Sequence, residues 1–155
     1  MNRITLLLLG FTLLLVTACD NSGTTRTQDP MLMTINERTI WELENYKNEV
    51  NEMAVEAAEM AAEDLDPLIW HINSLAEEIK DYKVPLFAVK AQSALYNYAN
   101  STFQCYSAKH SKYFRESIGA ETLTPNNFDY CDEIQIFSES FDILLQELKD
   151  MVADN

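Results

Sequence analysis

The sequence predicts an all-α domain, an antiparallel helical bundle of three to four helices, and three observations carry that expectation. Only 3 glycines and 4 prolines occur in 155 residues, and Gly10 and Gly23 both precede residue 34. Alanine, leucine, glutamate and lysine, which lose little side-chain freedom in a helix, are abundant. Apolar residues return at alternating steps of three and four, and no stretch sustains the period-two alternation of a half-buried strand. The predicted domain spans residues 34–155, about 120 residues, an ordinary size for one hydrophobic core.

The residues before it read differently. Arg3 is followed by an apolar run from Leu6 to Val16 and then by Thr17-Ala18-Cys19. A basic start, a short apolar core and small residues at its end are the layout of a secretory signal. The run is too short for a spanning helix, which takes about 20 apolar residues. Val16-Thr17-Ala18-Cys19 resembles the lipobox of bacterial lipoproteins. The resemblance implies a signal peptide over 1–18, cleavage before Cys19, and a diacylglycerol on the Cys19 thiol, with the new amino terminus acylated as well. Each buried acyl CH₂ contributes about 0.8 kcal/mol, so a multiply acylated cysteine stays in the bilayer. Asp20 resembles the retention signal of enteric lipoproteins, which implies the periplasmic face of the inner membrane; the alternative is the outer membrane. Residues 19–33 carry Ser22, Gly23, Thr24, Thr25, Thr27 and Pro30 without a periodic apolar face. They are expected to be a flexible tether with a reach of roughly 20 Å.

The helices follow in order. Thr34 with Glu37 three residues on has capping-box spacing. Leu43, Tyr46, Val50, Met53, Ala57 and Met60 then form one apolar seam. Beside it run Glu42, Glu49, Glu52, Glu56, Glu59 and Glu63, a carboxylate stripe. Asp66-Pro67 reads as an N-cap followed by proline at the first helical position. The next seam is Leu68, Ile72, Leu75, Ile79 and Tyr82. Val84-Pro85 predicts a kink or a full break, because proline lacks a backbone donor and disfavours helical geometry in its predecessor. A third helix is expected from Pro85 to about Ile118, with Val89, Tyr96, Ala99, Phe103, Tyr106, His110 and Tyr113 on one face and Gly119 as its C-cap. Thr124-Pro125 should open the last helix, whose seam is Tyr130, Ile134, Phe137, Phe141, Leu144, Leu148 and Met151.

Charge is distributed in blocks. From Glu37 to Asp81 there are thirteen acids against three bases; from Tyr82 to Arg115 there are five bases and no acid; from Glu116 onward there are ten acids and only Lys149. A basic helix between two acidic blocks is expected at the centre of the bundle, with weak ion pairs along its rim. The whole chain carries −14, and loss of 1–18 removes Arg3 alone, leaving 10 bases against 25 acids. That balance argues against nucleic acid as a partner and against docking on anionic lipid head groups, both of which need a basic face.

With Cys19 acylated, Cys105 and Cys131 remain, an even pair in an oxidising compartment, where a disulfide is the default and two free buried thiols the alternative. A helix running to Ile118 makes that bond geometrically demanding. The chain after it must run back beside the helix, or the helix must end early. The Glu stripe does not match a di-iron bundle, because neither His71 nor His110 has a glutamate three residues before it. There is no glycine-rich phosphate loop, no Gly-x-Ser-x-Gly and no His-Glu-x-x-His, so no enzyme and no cofactor are expected. The sequence predicts a non-catalytic, membrane-tethered interaction module of the cell envelope, an inhibitor, immunity or accessory protein. Its partners are the bilayer and a basic envelope protein, which Glu49, Glu52, Glu56, Glu59 and Glu63 are candidates to bind. The alternative is a small-ligand or cation-binding bundle that uses the Tyr96 to Tyr113 row or the stripe.

Overall fold

In the computed structural model, residues 33–120 and 130–154 are described, and they form four α-helices with no strand among the described residues. These are α1 (Ile35–Glu59), α2 (Asp66–Asp81), α3 (Val89–Ser117) and α4 (Tyr130–Ala153). The signal peptide, Cys19, Asp20, most of the tether and the Thr124-Pro125 start lie outside the described residues.

The capping box at the start of α1 is present in both directions. Glu37 N–H donates to the Thr34 hydroxyl at 3.2 Å, and Thr34 N–H donates to Glu37 Oε2 at 2.8 Å. The Thr34 backbone bond in turn holds the Glu37 carboxyl below its ordinary 4.5. At the other end of α1, Met60 turns extended and a 3-10 turn, Ala62–Asp64, leads to α2.

The entry to α2 differs from expectation. Leu65, not Asp66, is the cap residue, it has helical dihedrals, and no side chain caps the helix. The reason is that the 3-10 turn runs almost directly into the helix. The Leu65 carbonyl already accepts Ile69 N–H at 2.9 Å, and its buried side chain anchors the junction.

Pro85 ends a helix instead of kinking one. Tyr82 is extended, and a 3-10 turn, Leu86–Ala88, begins where the Pro85 carbonyl accepts Ala88 N–H at 2.9 Å. The third helix therefore starts at Val89, four residues later than the apolar rhythm suggests. Gln92 closes the corner by donating its amide to the Ile79 carbonyl at 2.8 Å, one of the acceptors that the end of α2 leaves without a helical donor. At the far end of α3, Gly119 sits at φ 68°. Ala120 N–H reaches the Arg115 carbonyl at 3.0 Å and Gly119 N–H reaches the Glu116 carbonyl at 3.2 Å. This is a Schellman cap, which needs a left-handed residue there.

Contacts fix the directions. Asn51 with Tyr98 and Ala54 with Tyr106 run in the same order along α1 and α3, so these helices are parallel. Glu44 with Lys149 and Lys47 with Asp142 run in reverse order, so α4 is antiparallel to α1. Tyr46 of α1 meets Glu78 and Tyr82 of α2, again in reverse order to the Ala57–Leu65 end. Helix α3 packs against all three others, as the charge blocks predicted. Interhelical ion pairs lie elsewhere among the described residues. The interhelical pairs Lys47–Asp142 and Lys149–Glu44 join α1 to α4, whereas Lys112 of α3 pairs with Glu116 in its own helix. What centres α3 is its buried face of Ala91, Ala94, Leu95, Tyr98, Ala99, Ser101, Thr102 and Cys105, where small residues admit close neighbours.

The core has two layers. One joins Leu43 and Val50, Leu75 and Ile79, Leu95 and Tyr98, and Phe141, Leu145 and Leu148, so all four helices contribute. The other is built on Ala57, Leu65, Leu68, Ile72 and Tyr106, from α1, the turn, α2 and α3. Within α4 the predicted seam holds from Ile134 to Leu148, but Met151 is 48% exposed and Val152 takes the inward place. A helix turns through 3.6 residues, so a seam stepped at 3.5 drifts by about 20° per heptad.

Beside the second layer, α4 meets α3 at Cys105 and Cys131, whose sulfurs stand 2.03 Å apart, disulfide-bonding distance, with Cα atoms 4.9 Å apart. Helix α3 does not end early to allow this. It runs to Ser117, about 18 Å past Cys105 at 1.5 Å per residue, while Cys131 stands at the start of α4. Non-reducing mass spectrometry should find the domain two protons lighter than its reduced form. Reduction should lower the unfolding free energy by about 3 kcal/mol, read from urea midpoints, for a bridge across 26 residues.

Candidate functional site

Burying Leu43, Val50 and Ala57 leaves the opposite face of α1 to solvent, and Glu49, Glu52, Glu56 and Glu59 are all exposed there. Glu63 belongs to the 3-10 turn beyond the helix, so the stripe bends with the chain instead of staying on one cylinder. Glu42, in the same predicted register, is half-buried beside Tyr46 and Tyr82, whose phenols are raised first by burial, with the Glu42 charge a lesser cause. Val55 is 61% exposed among these acids and forms a shallow apolar floor with Asn51, Glu52, Glu56 and Glu59 around it.

The acids divide into two kinds. Glu44 pairs with Lys149 at 2.5 Å, Glu77 with Lys80 at 2.9 Å, and Glu78 accepts from the Tyr46 hydroxyl at 2.9 Å. Among the described residues, Glu49, Glu52, Glu56 and Glu59 have no such partner. Glu44 and Glu78 thus reach across to neighbouring helices, whereas Glu77 pairs within α2. The outer four have no partner among the described residues.

A second feature was missed in the sequence. Asp66, Ile69, Trp70 and Asn73 of α2 face Phe103, Ser107, His110 and Ser111 of α3 across a groove of about 260 Å³. The spacings are those of one helical face on each side. Ile69 is buried and Phe103 half-buried, so the floor is apolar, while Trp70 stands 69% exposed at the rim. Asp66, Asn73, Ser107, His110 and Ser111 have no side-chain hydrogen-bond or ion-pair partner among the described residues. The legible signal was Trp70 lying off the seam of Leu68, Ile72, Leu75 and Ile79, a large aromatic with no core position to fill.

The aromatic row expected on α3 does not line one cavity. Tyr96 packs on the four-helix layer, Ala99 and Tyr106 are buried, and Phe103 and His110 face the groove. Val89 is exposed, and Tyr98, absent from the predicted row, is buried with its hydroxyl donating to Asn51 Oδ1 at 2.6 Å. The periodicity followed one stripe of a helix that is covered on several sides. The other opening, between α1 and α4, is lined by Trp41 and the paired Glu44, Lys47, Asp142 and Lys149, charges that already satisfy one another. His71 is exposed, apart from the groove. Among the described residues no group of three or more His, Cys, Asp or Glu side chains is placed to hold a metal ion, and no helix is long and apolar enough to cross a membrane.

The turn and the end of α3 are linked by Tyr113, whose phenol is raised above its ordinary 10.0 first by its hydrogen bond to Glu63 and then by that carboxylate's charge. A raised phenol favours the protonated folded form. Its contribution is therefore complete below pH 10 and is lost as pH rises through the folded-state value. In a titration of the Tyr113 ring resonances, Glu63→Gln should move the midpoint down toward 10; an unmoved midpoint contradicts the bond. Comparison of the chain with known protein families, with curated proteins and with solved structures finds no match to any of them.

Proposed function

We propose that this chain is a lipid-anchored protein of the bacterial cell envelope that works without catalysis, by binding a basic protein partner through the outer face of α1. It is an inhibitor, immunity or accessory module held at the periplasmic face of the inner membrane, or of the outer membrane where Asp20 is not read as a retention signal. One observation supports the binding face above the rest. Glu49, Glu52, Glu56 and Glu59 are exposed and unpartnered among the described residues, beside the exposed Val55, whereas Glu44, Glu77 and Glu78 are paired. Unpaired like charges around an apolar spot repel one another in the free protein and are relieved by a cationic partner. The lipid anchor rests on the lipobox resemblance at Val16 to Cys19.

Two outcomes are expected. Growth with labelled palmitate should mark the full-length protein and not its Cys19→Ser variant; equal labelling of both removes the anchor. Full-length protein in nanodiscs should retain one discrete basic envelope protein at low salt and release it at high salt. Replacing Glu49, Glu52, Glu56 and Glu59 together by Gln should weaken that retention by at least about tenfold, because complementary charge acts mainly through such rim contacts. Retention that ignores both salt and the four substitutions sinks the proposal.

A further inference from the structure

We infer that the groove between α2 and α3 is a receptor for a guanidinium group, and that an arginine of the basic partner proposed above inserts there. The inference rests on that functional reading for the partner, but the pocket's chemistry is its own.

The occupant follows from what lines the groove. Trp70 presents an indole at the rim, 69% exposed, although a large aromatic left in water is costly and usually finds cover. A purely apolar side chain would cover it, yet would bury Asp66, Asn73, Ser107, His110 and Ser111 without partners, an unfavourable exchange. An anion is disfavoured by Asp66 and by the net charge of −14. A cation gains from both. The acids Glu59, Glu63 and Asp64 lead through the turn to Asp66, so the groove continues the negative edge of α1. The nearby lysines of α3 are engaged elsewhere, Lys109 over the Tyr106 ring at 4.6 Å and Lys112 with Glu116.

Between the two biological cations the lining selects arginine. A guanidinium is planar, stacks on an indole face, and carries five N–H donors with no acceptor. The polar groups around the groove offer acceptors: the Asp66 carboxylate, the Asn73 carbonyl, the two serine hydroxyls and an imidazole nitrogen of His110. At about 260 Å³ the groove is smaller than typical drug-sized pockets of about 300–1,000 Å³, and suits one side chain better than a larger ligand. An aromatic pocket that holds arginine is also the usual form of an interface anchor, where tryptophan and arginine are enriched.

The test uses full-length protein in detergent micelles, carrying Trp41→Phe so that Trp70 is the one fluorophore of its kind. N-acetyl-arginine amide should change Trp70 emission saturably, and the citrulline analogue, its neutral isostere, should bind at least about tenfold more weakly. Asp66→Asn should weaken the arginine probe by about fivefold, read also from its own resonances, while Glu147→Gln, at an exposed position of α4, leaves it unchanged. Equal binding of arginine and citrulline, indifference to Asp66→Asn, or saturation by N-acetylglucosamine instead, each overturns the inference. The two readings fail separately. Loss of the basic partner from the four-glutamine variant, with Trp70 blind to the arginine probe, keeps the acidic face and removes the pocket. An arginine probe that fills the groove while the variant still holds its partner does the reverse.

Discussion

The bundle depends on the covering of α3. A helix packed by neighbours on several sides must present small residues where they come closest, and Ala91, Ala94, Ala99 and Ser101 do so. It must also leave no polar group stranded. Thr102, fully buried, donates back to the Tyr98 carbonyl at 2.9 Å, and the Tyr106 hydroxyl donates to the Ala54 carbonyl at 2.9 Å. Tyr98 does the same for Asn51. The two tyrosine bonds fix the register of α1 against α3, because a buried hydroxyl without a partner costs on the order of 1–3 kcal/mol. Once α1 and α3 are set parallel, α2 and α4 fill the antiparallel positions on either side.

Much of this was legible, and the limits of legibility have physical causes. The seams of α1 and α2 were read correctly because each of those helices buries one stripe, and a single stripe is what periodicity detects. Helix α3 defeated the same reading, since burial on several sides erases the contrast between faces. That is why Tyr98 was missed and Val89 was placed inside. The cap before α2 was assigned one residue late because Asp66-Pro67 is a strong local signal, and the 3-10 turn that overrides it has no sequence signature of its own. Gly119 was read correctly because a Schellman cap has a specific chemical requirement at one position.

The surface shows a similar division. The Glu stripe on α1 was visible as a register, but which of its members are paired depends on tertiary neighbours, and only the fold separates Glu44 from Glu49. The groove at Trp70 depends on juxtaposing residues of α2 and α3 that lie 30 or more positions apart in sequence, so its parts were legible and its geometry was not. Trp70 stood out only as an aromatic with no place in its own helix's seam.

The position of these surfaces along the bundle has one more consequence. The chain enters α1 at Thr34, and the turn that carries Glu63 and opens the Trp70 groove lies at the other end of that helix, about 36 Å away at 1.5 Å per residue. Whatever precedes residue 33 therefore joins the bundle at one pole and the candidate contacts gather toward the opposite pole. The rod of α1 acts as a spacer, so an object docked at the far pole stands a full helix length clear of the point of attachment.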